Sequence, residues 1–351
     1  MKKFIKITAA LCVTALLTGC SLIGDSDKAV EKKEKENSVV TVNGTHLSKE
    51  RFNYYFYNEQ DEILQSAGIT NSADIAEDFW SQKTDGKTNL AIAKENALAA
   101  AIDDVLKYQK AVEEGIKLTT SEKQMIDSQM GQMKQSTEMM SQLEQIGVDT
   151  DTYEQLFKES LYIQKLIAKY VDDGKIKLDE AQVNADFENT YVKAQHILFM
   201  TTDSTTGAAL SEDEIAKKKT LANDVLAKIR AGEDFETLMN EYCEDPGIAS
   251  APDGYVFTTG QMVQEFEDAA YALKVNQVSD IVETSYGYHI IKRVPFNMEG
   301  EQEQQYMEQI EYNYAMPEMD KLTKEWKAEA DIETNKEVLE SLKPTIVNNG
   351  N

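Results

Sequence analysis

The stretch AQHILF, Ala194–Phe199, and the stretch YGYHIIKRV, Tyr286–Val294, decide the fold of the central part of this chain. Both are apolar runs typical of strands, and each carries one of the three histidines in the sequence, His196 and His289. If the strands are neighbours in one sheet, the two rings can meet and hydrogen-bond through one tautomer each. A buried ring without a partner would cost about 1 to 3 kcal/mol. Either histidine alone is better explained as a satisfied core residue, so the pair is the informative feature.

Alternation along a strand predicts that His196 shares a face with Leu198 and that His289 shares one with Ile291. The segment between the two strands has helical patterns, so we predict a compact α/β unit over about Val192–Arg293. Its first helix has a capping box, and its expected helices are Ser211–Gly232, Phe235–Tyr242 and Glu265–Leu273.

The segments on both sides of this unit are mainly helical by their apolar spacing. A hairpin around the turn pair Asn43-Gly44 comes first, and His46 in its second strand is interpreted as a surface residue. The expected helices are Ser48–Gly68, Leu90–Gly115, Thr119–Gly147, Asp151–Val171, Asp179–Phe187, Glu301–Ala330 and Asn335–Leu342. The order is therefore helical segment, α/β insert, helical segment.

A methionine stripe marks the predicted helix Thr119–Gly147, with Met125, Met130, Met133 and Met140 near helical spacing. Packing in a core is one explanation. The other is an adaptable apolar surface, because the unbranched, polarizable side chain fits varied partners.

Charge excludes one class of partner. The 351 residues have 36 Lys and Arg against 62 Asp and Glu, a formal net charge of -26. Such a surface opposes phosphate backbones, so nucleic acid is not expected to bind. The 41% hydrophobic content is ordinary for globular domains and excludes disorder throughout the chain.

The N-terminus, MKKFIKITAALCVTALLTGC, has three lysines followed by an apolar run, which predicts an export signal over residues 1–19. A transmembrane helix is the alternative, but the run is shorter than the about 20 apolar residues that a span needs. The ending Leu17-Thr18-Gly19-Cys20 resembles the lipobox of bacterial lipoproteins, which implies cleavage before Cys20 and a lipid on its thiol. Residues 20–37 then form a charged tether, unless EKKEKEN extends as a helix.

Cysteine and histidine usage argues against a metal site. Cys12 lies in the signal and Cys20 is the lipid site, so Cys243 remains alone and no internal disulfide is expected. The histidines, at 46, 196 and 289, have no metal-ligand spacing with it. We therefore predict no metal and no cofactor.

Three segments, AQHILF, GQMVQEFEDAAYAL and VSDIVETSYGYHIIKRV, closely resemble the parvulin family of peptidyl-prolyl cis/trans isomerases in order and spacing. Together with the signal and the helical flanks, they resemble extracytoplasmic foldase lipoproteins of the PrsA type. The resemblance implies an α+β fold: a parvulin-like domain, a small sheet surrounded by helices, over 191–295. This domain is inserted between helical segments 38–190 and 296–351, which form a chaperone-like domain.

The resemblance also implies roles for particular residues. Its paired histidines match His196 and His289, and its acidic or thiol position near the substrate carbonyl matches Asp245. Turning an X-Pro bond crosses a barrier of about 18 to 20 kcal/mol by twisting, which breaks no bond and needs no cofactor.

The proline-pocket residues of the family match Met262 and Phe266, and Phe257 and Gln261 fall in the same segment. We expect Met262 and Phe266 to lie on one helical turn and to hold the pyrrolidine ring. Without the resemblance, both residues are explained as plain core and Asp245 as a turn residue before Pro246.

The chain departs from the family pattern in the run Pro252–Phe257, where many relatives have Gly-Gly-x-Leu-Gly-x-Phe. Gly254 replaces a pocket leucine, so Tyr255 is expected either to refill that wall or to narrow it. Cys243 is interpreted as a small buried residue and not as a nucleophile. The loop Met200–Gly207 has no Lys or Arg, which predicts an isomerase that does not require phosphorylated substrates.

These observations predict a bacterial foldase attached to the extracytoplasmic face of the cell membrane through Cys20. Its partners would be unfolded or newly exported polypeptides, and a homodimer is left open. The alternative is a non-catalytic holdase or assembly factor that uses the parvulin domain for peptide binding. A solute-binding lipoprotein would need two α/β lobes, and the long helical flanks argue against it.

Overall fold

The computed structural model describes residues 37–203 and 206–345, so the signal, Cys20 and nearly all of the tether lie outside the described residues. The helices are α1 (Lys49–Ser66), α2 (Asn89–Glu113), α3 (Thr120–Gln135), α4 (Thr137–Ile146), α5 (Thr150–Asp172), α6 (Glu180–Thr190), α7 (Glu212–Arg230), α8 (Phe235–Tyr242), α9 (Gln264–Ala272), α10 (Glu301–Glu329) and α11 (Lys336–Ser341). The strands are β1 (Ser38–Val42), β2 (Thr45–Ser48), β3 (Lys83–Thr84), β4 (Lys87–Thr88), β5 (Val192–Met200), β6 (Tyr255–Phe257), β7 (Val278–Thr284), β8 (Gly287–Arg293) and β9 (Ile332–Thr334). The predicted α+β class is confirmed.

The chain divides into two compact units. One, the insert unit, is Lys177–Pro317, and the other, the flanking unit, consists of the residues on both sides of it. The insert unit is longer at both ends than 191–295. Phe187 of α6 and Tyr191 pack with Tyr306 and Ile310 of α10, which explains the extension.

The flanking unit contains the predicted hairpin, in which β1 pairs antiparallel with β2 and, on its other edge, with β9. Asn43 and Gly44 form its turn with φ of 48° and 80°. Because both turn residues have positive φ, an Asn-Gly pair suits this position. Phe52 and Phe56 of α1 are fully buried in the core that α1 and α2 share with β1.

The prediction of a single helix over Thr119–Gly147 is wrong, because Ser136 separates α3 from α4. Ser136 has extended dihedral angles, φ -85° and ψ 107°, and its hydroxyl accepts a hydrogen bond from the Met139 amide at 3.3 Å. A serine that caps a new helix ends the previous one. Met130 and Met133 are buried in a core cluster, whereas Met125 is 38% exposed. Core packing therefore explains only part of the methionine stripe.

The insert unit is built on a four-stranded antiparallel sheet in the order β6-β5-β8-β7. Helices α7 and α8 cover one face through a core that includes Ile197 and Ile290. Helix α9 covers the other face, where Phe257 and Phe266 pack against Ile291. The two histidine strands are neighbours, the condition under which their rings can meet, since β5 and β8 are the central pair.

Candidate active site

His196 and His289 come together on the α9 face of the sheet. Leu198 pairs with His289, so His196, two residues earlier on β5, is its diagonal neighbour on the same face. The ring centroids are 5.3 Å apart, and each residue is 5% exposed. The register of β5 and β8 therefore places the histidine pair in the core of the insert unit.

The expected hydrogen bond between the two imidazoles is wrong. The rings are tilted by 57°, and Nδ1 of both histidines and Nε2 of His196 have no aligned hydrogen-bond partner in the protein. Diagonal placement separates the rings enough that their nitrogens do not face each other. His289 instead shares a hydrogen bond of 2.9 Å between Nε2 and the hydroxyl of Thr284.

Thr284 is a site residue that the sequence analysis missed. It ends β7 and pairs with Gly287 across the hairpin, which brings its hydroxyl to the ring five residues later. The sequence could have indicated this contact, because a short hairpin turn between Thr284 and His289 brings the two strands side by side. The threonine fixes which nitrogen of His289 is engaged.

Asp245 lies after α8 at the edge of the histidine pair, with its side chain 18% exposed. Its Oδ2 is 3.3 Å from Nε2 of His196, close enough for electrostatic attraction although the contact is not an aligned hydrogen bond. Oδ1 accepts the Gly247 amide at 2.9 Å. His196 first, then the Gly247 amide and the Tyr255 hydroxyl, hold the pKa of Asp245 well below its ordinary value despite partial burial. Asp245 is therefore a fixed negative charge.

Tyr255 fills the space beside this carboxylate. Its hydroxyl donates to Oδ2 of Asp245 at 2.8 Å, and its ring lies nearly parallel to that of His196, with centroids 5.7 Å apart. Burial, followed by the hydrogen bond to Asp245, raises the pKa of Tyr255 far above its ordinary value, so the hydroxyl stays protonated. Of the two expectations for Tyr255, the contacts fit a residue that refills the wall.

The four predicted pocket residues differ in burial and in their distance from the histidine pair. Phe266 touches the edges of both histidine rings, with centroids 5.4 Å from each, and Phe257 lies 5.9 Å from Phe266. Met262 packs against the same cluster and is half-buried. Gln261 is exposed, and its side-chain oxygen accepts the Thr258 amide at 3.0 Å, which closes its own turn.

The expectation that Met262 and Phe266 share a helical turn is wrong. Helix α9 starts at Gln264, and Val263 is its N-cap with extended dihedral angles. Met262 therefore packs against the Phe266 cluster from the turn before the helix.

Burial determines the charge of His289. Burial, followed by the neighbouring His196, lowers the pKa of His289 to about 3, so His289 is neutral at physiological pH. Burial also raises the pKa of the Cys243 thiol, whose sulfur accepts the Leu198 amide at 3.4 Å. A thiol with a raised pKa is a poor nucleophile, which agrees with a structural part for Cys243.

Within residues 37–203 and 206–345, no group of three or more Cys, His, Asp and Glu side chains is arranged to hold a metal ion. In the same part of the chain, no helix combines the length and apolar character needed to cross a membrane.

Comparison with known proteins identifies the family of this chain. The model of the PPIC-type PPIase domain family matches residues 177–294. The foldase protein PrsA of Caldanaerobacter subterraneus subsp. tengcongensis is 30% identical over 289 residues, which cover 81% of each chain. The chain belongs to the PrsA foldase family. It is thus a peptidyl-prolyl cis/trans isomerase of the parvulin type, and its substrates are polypeptides.

Other PrsA proteins match with different coverage. The foldase protein PrsA of Geobacillus kaustophilus is 40% identical over 141 residues, 40% of this chain and 44% of that relative. The crystal structure of PrsA from Bacillus subtilis is 26% identical and covers 74% of this chain and 96% of that one, with a TM-score of 0.33.

Proposed function

We propose that this PrsA family member is a lipid-anchored foldase outside the cell membrane that isomerises Xaa-Pro bonds in newly exported polypeptides without requiring phosphorylation. The observation that carries the proposal is the convergence of Asp245, the histidine pair and the pocket rings on one face of the sheet. A fixed charge beside an apolar pocket suits a reaction in which an amide twists and no bond breaks.

The apolar part of this site would hold the proline ring. Phe257, Phe266 and Met262 provide a wall that excludes water, and Phe266 is 4% exposed. A twisted amide has less charge separation than a planar one, because resonance gives the planar form a partly negative oxygen. A dry pocket therefore favours the twisted form over the planar one.

The polar part of the site would act on the peptide carbonyl. An ionised Asp245 placed near the carbonyl oxygen disfavours the resonance form with negative charge on that oxygen, which weakens the double-bond character of the C–N bond. His196 and His289 would hold Asp245 and the pocket in register. We assign Asp245, His196 and His289 to the catalytic group, and Phe257, Gln261, Met262 and Phe266 to substrate binding.

Phosphorylation independence is supported by the charges around the site. The loop Met200–Gly207 has no basic residue, and its Asp203 accepts the Thr206 amide at 2.8 Å. Lys218, on the neighbouring α7, forms an ion pair with Glu244. A phosphate needs unpaired Arg or Lys donors, so a phosphorylated residue before proline would find no partner here.

Export and attachment are supported by the sequence of residues 1–20. The lipid at Cys20 would place the protein on the extracytoplasmic face of the membrane, and a homodimer remains part of the proposal. Mass spectrometry of the purified chain tests the anchor: the wild type should carry a diacylglycerol mass at Cys20 that Cys20→Ser lacks. An unmodified wild-type cysteine would refute the anchor.

Isomerase assays test the catalytic proposal. A chain that lacks residues 1–20 loses no described residue, and its action on matched serine-proline and phosphoserine-proline peptides can be followed by exchange NMR. We expect faster isomerisation of the unphosphorylated peptide. Acceleration confined to the phosphorylated peptide would refute phosphorylation independence, and no acceleration by a folded chain would refute turnover by this site.

The holdase alternative has a separate test. Gly254 and Tyr255 depart from the family's pocket pattern, which keeps peptide binding without turnover in consideration. Aggregation of an unfolded client is measured with the parent and with Asp245→Ala. Equal suppression by both, with no isomerisation by either, would favour the holdase over the enzyme.

A further inference from the structure

Tyr255 contacts the proposed catalytic group, although the resemblance to parvulins assigns it no role. The parvulin pattern that this chain resembles has leucine and glycine at the positions of Gly254 and Tyr255. The Tyr255 hydroxyl donates to Asp245, and the Tyr255 ring covers one side of His196. One side chain thus touches both members of the Asp245–His196 contact.

Two glycines make room for Tyr255. Gly254 has a φ of +104°, and a Cβ there would lie 2.8 Å from the carbonyl oxygen of Ala194. The close approach lets Tyr255 pair with Ala194 as the first residue of β6. A Cβ at Gly247 would lie 2.5 Å from the Tyr255 hydroxyl oxygen. The position of this hydroxyl therefore depends on the absence of side chains at both glycines.

The hydrogen bonds of Asp245 show what the hydroxyl does locally. Oδ1 accepts the Gly247 amide, and Oδ2 accepts the Tyr255 hydroxyl while facing Nε2 of His196. Without Tyr255, Oδ2 would keep the unaligned 3.3 Å contact with His196. The carboxylate could then rotate about its own Cβ–Cγ bond, because one amide does not fix both oxygens.

We propose that Tyr255 is a positioning residue for prolyl isomerisation, whose hydroxyl fixes the rotation of the Asp245 carboxylate and whose ring holds His196 against it. The inference rests on the proposed catalytic role of Asp245. It also gives a physical reason for the exchange of leucine and glycine for Gly254 and Tyr255, because the exchange adds a donor beside the carboxylate.

Tyr255→Phe tests the hydroxyl while the ring is kept. Loss of a hydrogen bond to a charged group should lower kcat/KM by on the order of tenfold. The pKa of Asp245, followed by carboxyl 13C NMR, should rise toward its ordinary value. A structural role alone would change stability and leave this pKa in place.

Gly247→Ala is the second variant, because its Cβ should displace the hydroxyl without removing it. Gly247 has an ordinary φ of -80°, so alanine fits the backbone. Gly247→Ala should lower kcat/KM, as Tyr255→Phe should. Tyr314→Phe is the matched control, since the Tyr314 hydroxyl of α10 also bonds an aspartate, Asp186, and its kinetics should equal those of the parent.

The double variant Tyr255→Phe with Asp245→Ala distinguishes the possibilities. If Tyr255 acts through Asp245, the double variant should be no slower than Asp245→Ala alone. A double variant in which the losses of kcat/KM from the two single variants multiply would overturn the inference about Tyr255. So would a folded Tyr255→Phe variant that keeps both the parental kcat/KM and the parental pKa of Asp245. Full activity of Asp245→Ala would instead overturn the proposed role of Asp245.

Discussion

The two units each contain a partly or fully buried tyrosine that hydrogen-bonds an aspartate, and the two aspartates are affected in opposite directions. In the insert unit, Tyr255 bonds Asp245, whose pKa is held well below its ordinary value, chiefly by His196. In the flanking unit, Tyr55 of α1 bonds Asp104 of α2, whose pKa is raised by burial. The tyrosine is common to both pairs, so it does not decide the direction.

The difference lies in the other partners. Asp245 has an imidazole at Oδ2 and a backbone amide at Oδ1, and it stays at the edge of the unit. At Asp104, loss of hydration outweighs the attraction of Lys107 and the bond from Tyr55. A tyrosine–aspartate pair thus serves as a charged site when further donors surround the carboxylate, and as core packing when they do not.

The largest expected effect separates the two aspartates by activity. Asp245→Ala should lower kcat/KM for Xaa-Pro peptides by about 100-fold, the usual order for loss of one electrostatic group. Asp104→Asn should leave kcat/KM unchanged, because Asp104 belongs to the flanking unit. Exchange NMR gives the rates, and circular dichroism checks the folds. Comparable losses from both variants would contradict the comparison.

His289 and Asp104 should change the stability of the fold in opposite directions as pH falls. The folded pKa of His289, about 3, lies below its unfolded value, so the unfolded state binds the proton more tightly. The stability from neutral His289 is present above pH 6.5 and is lost as pH falls toward 3. Between pH 7 and pH 4.5 the loss is about 2 to 3 kcal/mol. The pKa of Asp104 is higher in the folded state than in the unfolded state, so the folded state binds the proton more tightly. Protonation of Asp104 therefore stabilises the fold as pH falls.

Urea unfolding at pH 7 and pH 4.5, followed through methyl NMR signals of Ile197 and Ile290, measures the loss in the insert unit. His289→Gln should flatten the pH dependence, because glutamine does not titrate. The same slope in His289→Gln and in the parent would assign the effect to other groups.

Removing the tyrosine hydroxyl of the flanking pair should affect stability alone. Tyr55→Phe removes the hydroxyl that bonds Asp104, which should lower the free energy of unfolding by about 1 to 2 kcal/mol. Both tryptophans, Trp80 and Trp326, belong to the flanking unit, so their fluorescence reports on it. Tyr255→Phe should not move that fluorescence transition. A slower isomerase in Tyr55→Phe would break the separation of roles.

The smallest expected effect concerns Cys243. Its sulfur accepts the Leu198 amide, a part that a serine hydroxyl can take over. Cys243→Ser should keep kcat/KM within about twofold, since hydroxyl and thiol differ mainly in size and acidity. Alkylation of the wild-type thiol provides an independent check. A loss of activity in Cys243→Ser as large as that in Asp245→Ala would mean that the thiol takes part in the reaction.

Much of the fold could be predicted from local patterns. The Asn43-Gly44 hairpin, the capping box at Ser211 and the two histidine strands follow from turn chemistry, capping and apolar runs, whereas the pairing of those strands was only a condition. The break at Ser136 was missed because the apolar spacing continues across it, although serine is a strong N-cap. The placement of Met262 and Phe266 on one helical turn was wrong because Met262 precedes the helix, which begins at Gln264.

The sequence by itself determined the N-terminal hairpin, both histidine strands, most of the helices and the charge, because these depend on residues near one another in the chain or on composition. Tertiary structure alone decided that Thr284 and not His196 bonds His289, and that the Tyr255 hydroxyl reaches Asp245. Ring tilt, hydroxyl position and burial depend on how strands and loops pack. A distance of a few tenths of an ångström then decides which polar atoms meet.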